Sequence, residues 1–141
     1  MIESNREIKK PSEKREIMPR FEASALRGYC VSVLTASGVE RSCAEAVADA
    51  LIDAELTGVS THGVSRLAVY MQRMDAGVMS RENNIRIVRE STSTLVVDAG
   101  NSLGAAAAKF AMERCIAKAK ETGCCFASVH SSNHFGTAAY Y

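Results

Sequence analysis

The chain lacks an excess of charge of either sign, an apolar run of membrane length and paired C-x-x-C cysteines. Lys plus Arg number 17 against 16 Asp plus Glu, a net charge of +1. That balance leaves no electrostatic footprint for nucleic acid or acidic lipid. The apolar stretch around Ala105 to Ala108 breaks at Lys109, far short of the roughly 20 residues of a transmembrane helix. No apolar segment occurs in the first 17 residues, which carry nine charges of both signs, so they do not read as a secretory signal. Glu3, Glu7, Glu13 and Glu16 argue equally against a mitochondrial leader. The expectation is a cytoplasmic protein with a disordered extension over residues 1–20, in which Met18 could be an alternative start. Cys30, Cys43, Cys115, Cys124 and Cys125 are odd in number, and read as small buried thiols in a reducing compartment. No internal repeat or low-complexity linker interrupts the chain.

What is present is amphipathic patterning. Ala25, Leu26, Tyr29, Cys30, Val33 and Leu34 share one face of a helix predicted from Phe21 to Ser37, stopped by Gly38. Ser42 with Glu45 forms a capping box for a second helix, which ends near Gly58. A third helix runs from about Val64 to Asp75, with Ser60 or Thr61 as its cap. Ile85–Val88 and Thr94–Val97 read as short strands. Ala105–Lys120 is a helix with Ala108, Ala111, Met112, Cys115, Ile116 and Ala119 facing inward. Cys124–Val129 is apolar except for Ser128, as in a strand buried on both faces, which requires neighbours beyond this chain. Residues 133–141 look like the entry to another helix, so the sequence reads as a fragment.

Two groups of residues carry chemistry. His62, Arg66 and Tyr70 are spaced i, i+4, i+8 and would form one polar stripe at a helix start. Arg can grip a carboxylate bidentately, Tyr can hydrogen-bond it, and His can exchange a proton with a carbonyl or alcohol. The helix N-terminus favours an anion and should hold His62 toward its neutral form. The competing reading of the same spacing is a solvated helix face. The second group, Ser131 to Gly136, follows the last strand, where α/β folds present ligand-binding groups. There His134 could act as acid/base with Asn133 orienting ring or substrate. The alternative is that Asn133 caps a helix and His134 packs in its first turn.

Two other possibilities are weaker. Cys124, Cys125, His130 and His134 give the spacing C-C-x4-H-x3-H, but adjacent strand cysteines point to opposite faces, so no zinc site is assigned. The Gly100–Gly104 turn fits neither G-x-G-x-x-G nor the P-loop pattern and receives no cofactor role.

Residues 53–67, DAELTGVSTHGVSRL, followed by Tyr70, and residues 132–141, SNHFGTAAYY, resemble two ordered signatures of the type 2 malate/L-lactate dehydrogenases. Gly77, Asp98 and the Leu103-Gly104 turn fall in the expected order between them. Thr61 stands where that family more often has Ser, and the hydroxyl is kept. The group also includes ureidoglycolate, sulfolactate and 2,3-diketogulonate oxidoreductases. The resemblance implies an NAD- or NADP-dependent oxidoreductase interconverting a small 2-hydroxy acid and its 2-keto acid. Its implied fold is α/β (α+β within this stretch): a helical subdomain over 21–79, then the start of a mixed-sheet, non-Rossmann nucleotide-binding domain over 80–141. By resemblance His134 is the first choice for proton transfer and His62 the second. Arg66 would bind the substrate carboxylate, Tyr70 would position it, and Asn133 would contact substrate. Most cofactor contacts and much of a homodimer surface would lie beyond Tyr141, so this stretch alone should be inactive. The rival expectation is a truncated, non-catalytic protein that binds a ligand or partner through the same helices.

Overall fold

The computed structural model describes residues 19–141; the expected disordered extension lies, up to residue 18, outside them. Four helices and a three-stranded sheet follow one another. Helix α1 is Ala23–Ala36 and α2 is Arg41–Leu56. A 3-10 turn, Ser60–His62, leads to α3, Arg66–Asp75. Strands β1 (Arg86–Glu90) and β2 (Thr94–Asp98) precede α4, Gly104–Thr122. Strand β3, Phe126–His130, follows, and a 3-10 turn spans Ala138–Tyr140. The sheet is mixed, as expected: β1 pairs antiparallel with β2, and β2 pairs parallel with β3 across α4.

Helix α2 is the spine of the fold. Its small residues Ala44, Ala46, Ala48, Ala50 and Ala54 are buried, which lets α1 and α4 approach it closely. Leu34, Val47, Leu51 and Met74 fill the space between the helices, and Leu103, Ala105 and Ala106 of the α4 entry join the same core. One hydrophobic cluster therefore runs across residue 80. Truncating Leu51, which is 1% exposed, should cost about 2–5 kcal/mol of stability.

Several expectations fail locally. On α1, Val31 is buried while Ala25 and Tyr29 are exposed, because α2 covers only the Cys30–Leu34 side. The Ser42–Glu45 capping box is absent: α2 already begins at Arg41, so Ser42 has helical backbone. Its hydroxyl donates to Glu40 Oε1 (2.6 Å), and Glu45 pairs with Arg41 (2.9 Å). Neither Ser60 nor Thr61 caps α3, which starts at Arg66 because Gly63 adopts an extended conformation and breaks the run. The buried thiols are Cys30 and Cys43 alone; Cys115 and Cys125 are half-buried and Cys124 is exposed.

The largest departure concerns α4 and β3. Met112 and Ile116 are exposed, and Phe126 of β3 is 70% exposed. The buried side of α4 is instead its first turns, Gly104 to Ala107, with Ala111. The physical reason is that β3 is an edge strand, with no described residue packed on its outer face. Ala108, Met112, Cys115, Phe126, Val129 and Tyr141 thus line an open apolar groove of 680 Å³. The periodicity marks which side chains are apolar; burial needs a partner layer.

Candidate active site

His62, Arg66, Tyr70 and His134 converge, though by a different route from the one their spacing suggests. They do not share a single helical stripe. His62 sits on the 3-10 turn, Arg66 and Tyr70 on α3, and His134 on the loop after β3. The His62 and His134 rings lie 5.1 Å apart, tilted by 32°. Tyr70 is 3% exposed, and its hydroxyl lies 2.6 Å from His134 Nδ1. The loop carrying His134 therefore closes over the entry to α3.

The hydrogen bonds define the His134 ring. The Gly136 N–H, which can only donate, approaches Nδ1 at 3.4 Å. Nδ1 is then an acceptor, Tyr70 donates to it, and the proton of the neutral ring lies on Nε2. Burial pushes the Tyr70 phenol up to about 12, offset in part by Arg66, so it remains a proton-bearing donor throughout the neutral range. Burial also holds the His134 imidazole below its usual range, and His62 and Arg66 add to that shift. His134 is thus a neutral base near pH 7 whose acceptor nitrogen is committed to a phenol.

His62 has a simpler surrounding. Its Nδ1 meets only the Thr61 hydroxyl, 3.0 Å away. Arg66 donates from Nε to the Thr61 carbonyl at 2.6 Å, which braces the turn against α3. Among the described residues no carboxylate pairs with Arg66, so its terminal amino groups are free to meet an anionic ligand. The loop is seated from below by Glu55, whose Oε1 accepts the Val64 N–H at 2.7 Å. A Cβ on Gly63 would collide with that same carboxylate, which is why the residue after His62 has no side chain.

Asn133 lies apart from the ring cluster. Its amide nitrogen donates to Asn101 O, Asn101 Oδ1 and Ser102 O, each at 3.0 Å. His130 points elsewhere too, toward Ser131 Oγ (3.0 Å) and Asp98 (3.8 Å). Sequence reasoning passed over Glu55 and Asn101. No local pattern links Glu55 to a loop nine residues on, but the Gly100-Asn101 pair was a usable signal, since Asn101 takes a left-handed conformation, φ 60°.

Neither helix start beside this site fits the diphosphate of a dinucleotide. A phosphate binds the free N–H groups at a helix start. At α3 the first N–H groups already donate to backbone, Arg66 to Gly63 O and Leu67 to Val64 O (2.9 Å each), and at α4 the carbonyl oxygens of Asn133 and His134 press on Gly104. What the site offers is a base, a phenol donor and a guanidinium in a small space, suited to a carboxylic acid with an adjacent oxygen.

Known proteins share this arrangement of chain. The L-sulfolactate dehydrogenase of Methanothermobacter thermautotrophicus is 39% identical over 125 residues, covering 89% of this chain and 36% of that protein. The malate dehydrogenase of Pyrococcus horikoshii is 38% identical over 122 residues, 86% of this chain and 34% of its own length. Its structure superposes with a TM-score of 0.84 at 37% identity, covering 87% of this chain and 35% of that one. Chromohalobacter salexigens contributes a relative, (2R)-3-sulfolactate dehydrogenase (NADP(+)), 39% identical over 108 residues, 77% of this chain and 32% of that protein. The chain thus spans about a third of the length of these relatives. The malate/L-lactate dehydrogenase family profile matches residues 21–141, and the chain belongs to that family.

Proposed function

We propose that this chain forms the proton-transferring and carboxylate-binding part of an NAD- or NADP-dependent oxidoreductase. The complete enzyme would interconvert a small 2-hydroxy acid of the malate, lactate or sulfolactate type and its 2-keto acid. It would act as a cytoplasmic homodimer whose non-Rossmann cofactor contacts lie mostly beyond Tyr141. The observation that carries this reading is the Tyr70–His134 hydrogen bond, 2.6 Å, set beside His62 and Arg66.

Arg66 grips the substrate carboxylate through its terminal amino groups, a planar match that lysine cannot reproduce. This places the neighbouring C2 oxygen against His134. In the oxidation direction the ring changes tautomer, its proton passing to Nδ1 where the Tyr70 oxygen accepts it, and the freed Nε2 takes the hydroxyl proton. In the reduction direction the doubly protonated ring returns that proton from Nε2. The Tyr70 hydroxyl serves both states, since it can donate to a bare Nδ1 or accept from a protonated one. A nicotinamide held by the complete protein would provide the hydride chemistry, while the residues of this chain orient the acid and move the proton.

The test is a steady-state assay of the complete protein against a panel of 2-keto acids with NADH and NADPH. Turnover of at least one acid, lowered about 10²-fold or more in His134→Asn, is the expected result. Binding of such acids without turnover by the complete protein would favour the ligand-binding alternative.

A further inference from the structure

Resting on the reading of His134 as the proton-transferring group, we propose that Asn133 is a positioning residue that does not bind substrate. Its carboxamide, seated on the Asn101–Ser102 turn, and the bare Cα of Gly104 together hold His134 against Tyr70.

The geometry of the seat supports this. The Asn133 Nδ2 group meets three acceptors at 3.0 Å, two of them backbone carbonyls, so its donors are used up. The turn it grips is rigid on its own account. Asn101 has φ 60°, its N–H donates to Ser131 O at 2.8 Å, and the buried Ser102 hydroxyl donates to Glu82 O at 2.9 Å. Ser131 also takes a left-handed conformation, φ 52°, which turns the chain sharply out of β3. Two residues after Ser102, Gly104 lies so close to the Asn133 and His134 carbonyls that a Cβ there would overlap both.

The segment is therefore clamped between a turn and the first residue of α4, one residue from the imidazole. Without the clamp, the ring keeps the Tyr70 bond, and its loop keeps only flanking bonds, Asn101 N–H to Ser131 O (2.8 Å) and the Tyr141 hydroxyl to Phe135 O (2.6 Å). A displacement of about 1 Å at a reacting group can cost up to roughly 10²-fold in rate. The clamp acts on chemistry through placement of His134, and its loss should appear in kcat.

The experiment compares the complete wild-type protein with Asn133→Ala and Asn101→Gly. Two quantities are read: the kcat and KM split with the best 2-keto acid, and the His134 ring titration midpoint by NMR with labelled histidine. In Asn133→Ala the expected kcat loss is about tenfold or more, with KM nearly unchanged. The His134 midpoint should rise toward the ordinary histidine value as the ring leaves its place beside His62 and Arg66. Asn101→Gly, which suits the positive φ and keeps both backbone acceptors but removes Oδ1, should show the same changes to a smaller degree. If the alanine variant does not fold, Asn133→Ser keeps one donor and is read in the same way. A raised KM with unchanged kcat would mean that Asn133 touches substrate, overturning the proposal. An unchanged His134 midpoint in Asn133→Ala would overturn it as well. Should the wild type turn over no 2-keto acid, the dehydrogenase reading fails by itself, and the NMR arm still decides the clamp.

Discussion

The two histidine-bearing segments reach the same small space by opposite constructions. His62 is presented by a 3-10 turn seated on a side chain, the Glu55 carboxylate reaching up from α2. His134 is presented by a loop clamped on backbone, between the Asn101–Ser102 turn and Gly104. A side-chain seat can yield, because the tip of a glutamate has rotamers to explore. A backbone seat cannot yield without moving α4. His134 also has the phenol of Tyr70 on its acceptor nitrogen, whereas His62 Nδ1 has only the adjacent Thr61 hydroxyl. Under the proposed function, the better-held ring is the one that would transfer the proton.

That ranking is most exposed in catalysis. His134→Asn in the complete enzyme should lower kcat/KM by about 10²–10⁴-fold, the range for loss of a general acid/base. His62→Asn should cost roughly tenfold, and a larger loss at His62 than at His134 would reverse the assignment. Arg66→Lys comes next. Losing the bidentate fork should raise KM by about one to two orders of magnitude, at 1.5–3 kcal/mol for a charged hydrogen bond. An unchanged KM removes Arg66 from the site.

The two seats can be compared directly by adding one methyl group to each. Gly104→Ala meets backbone and should cost about 1–3 kcal/mol in thermal unfolding. Gly63→Ala meets the movable end of Glu55 and should cost less, about 1 kcal/mol or below. The opposite order would show that Glu55 is the rigid partner.

The smallest effect is a pH dependence of stability. The folded state favours neutral His134, so its contribution is complete above the unfolded value of about 6.5. It is lost as pH falls from there toward the lower folded value, because the unfolded chain binds the proton more readily. Unfolding midpoints that decline below pH 6.5 in wild type and decline less in His134→Asn would match this sign. Parallel curves would mean that His134 titrates alike in both states. The catalytic counterpart is that oxidation of the hydroxy acid weakens over the same acid range while reduction of the keto acid gains.

Much of this was legible in residue order. The element sequence followed from pattern and spacing, while the mixed sheet and the membership of His62, Arg66, Tyr70 and His134 in two separated signatures came from the resemblance to a known family. Glycines marked the turns because Gly38, Gly77 and Gly123 stop helices with positive φ, a conformation that costs other residues more. The arrangement of the site was not legible. The i, i+4, i+8 spacing suggested one stripe on one helix, but Gly63 interrupts the helix and sends His62 onto a separate turn.

The sequence alone determined which side chains are chemically able to serve: an imidazole, a guanidinium and a phenol, with glycines where no Cβ can fit. The tertiary structure decided which of them meet. Helical periodicity is a local property of the backbone, set within a few residues. The Tyr70–His134 bond spans 64 positions, and the Asn133 clamp spans 31 and 32. Contacts of that range depend on how α2, α3 and α4 pack, which is fixed by burial of the shared core and carries no signature in the spacing of the residues that touch.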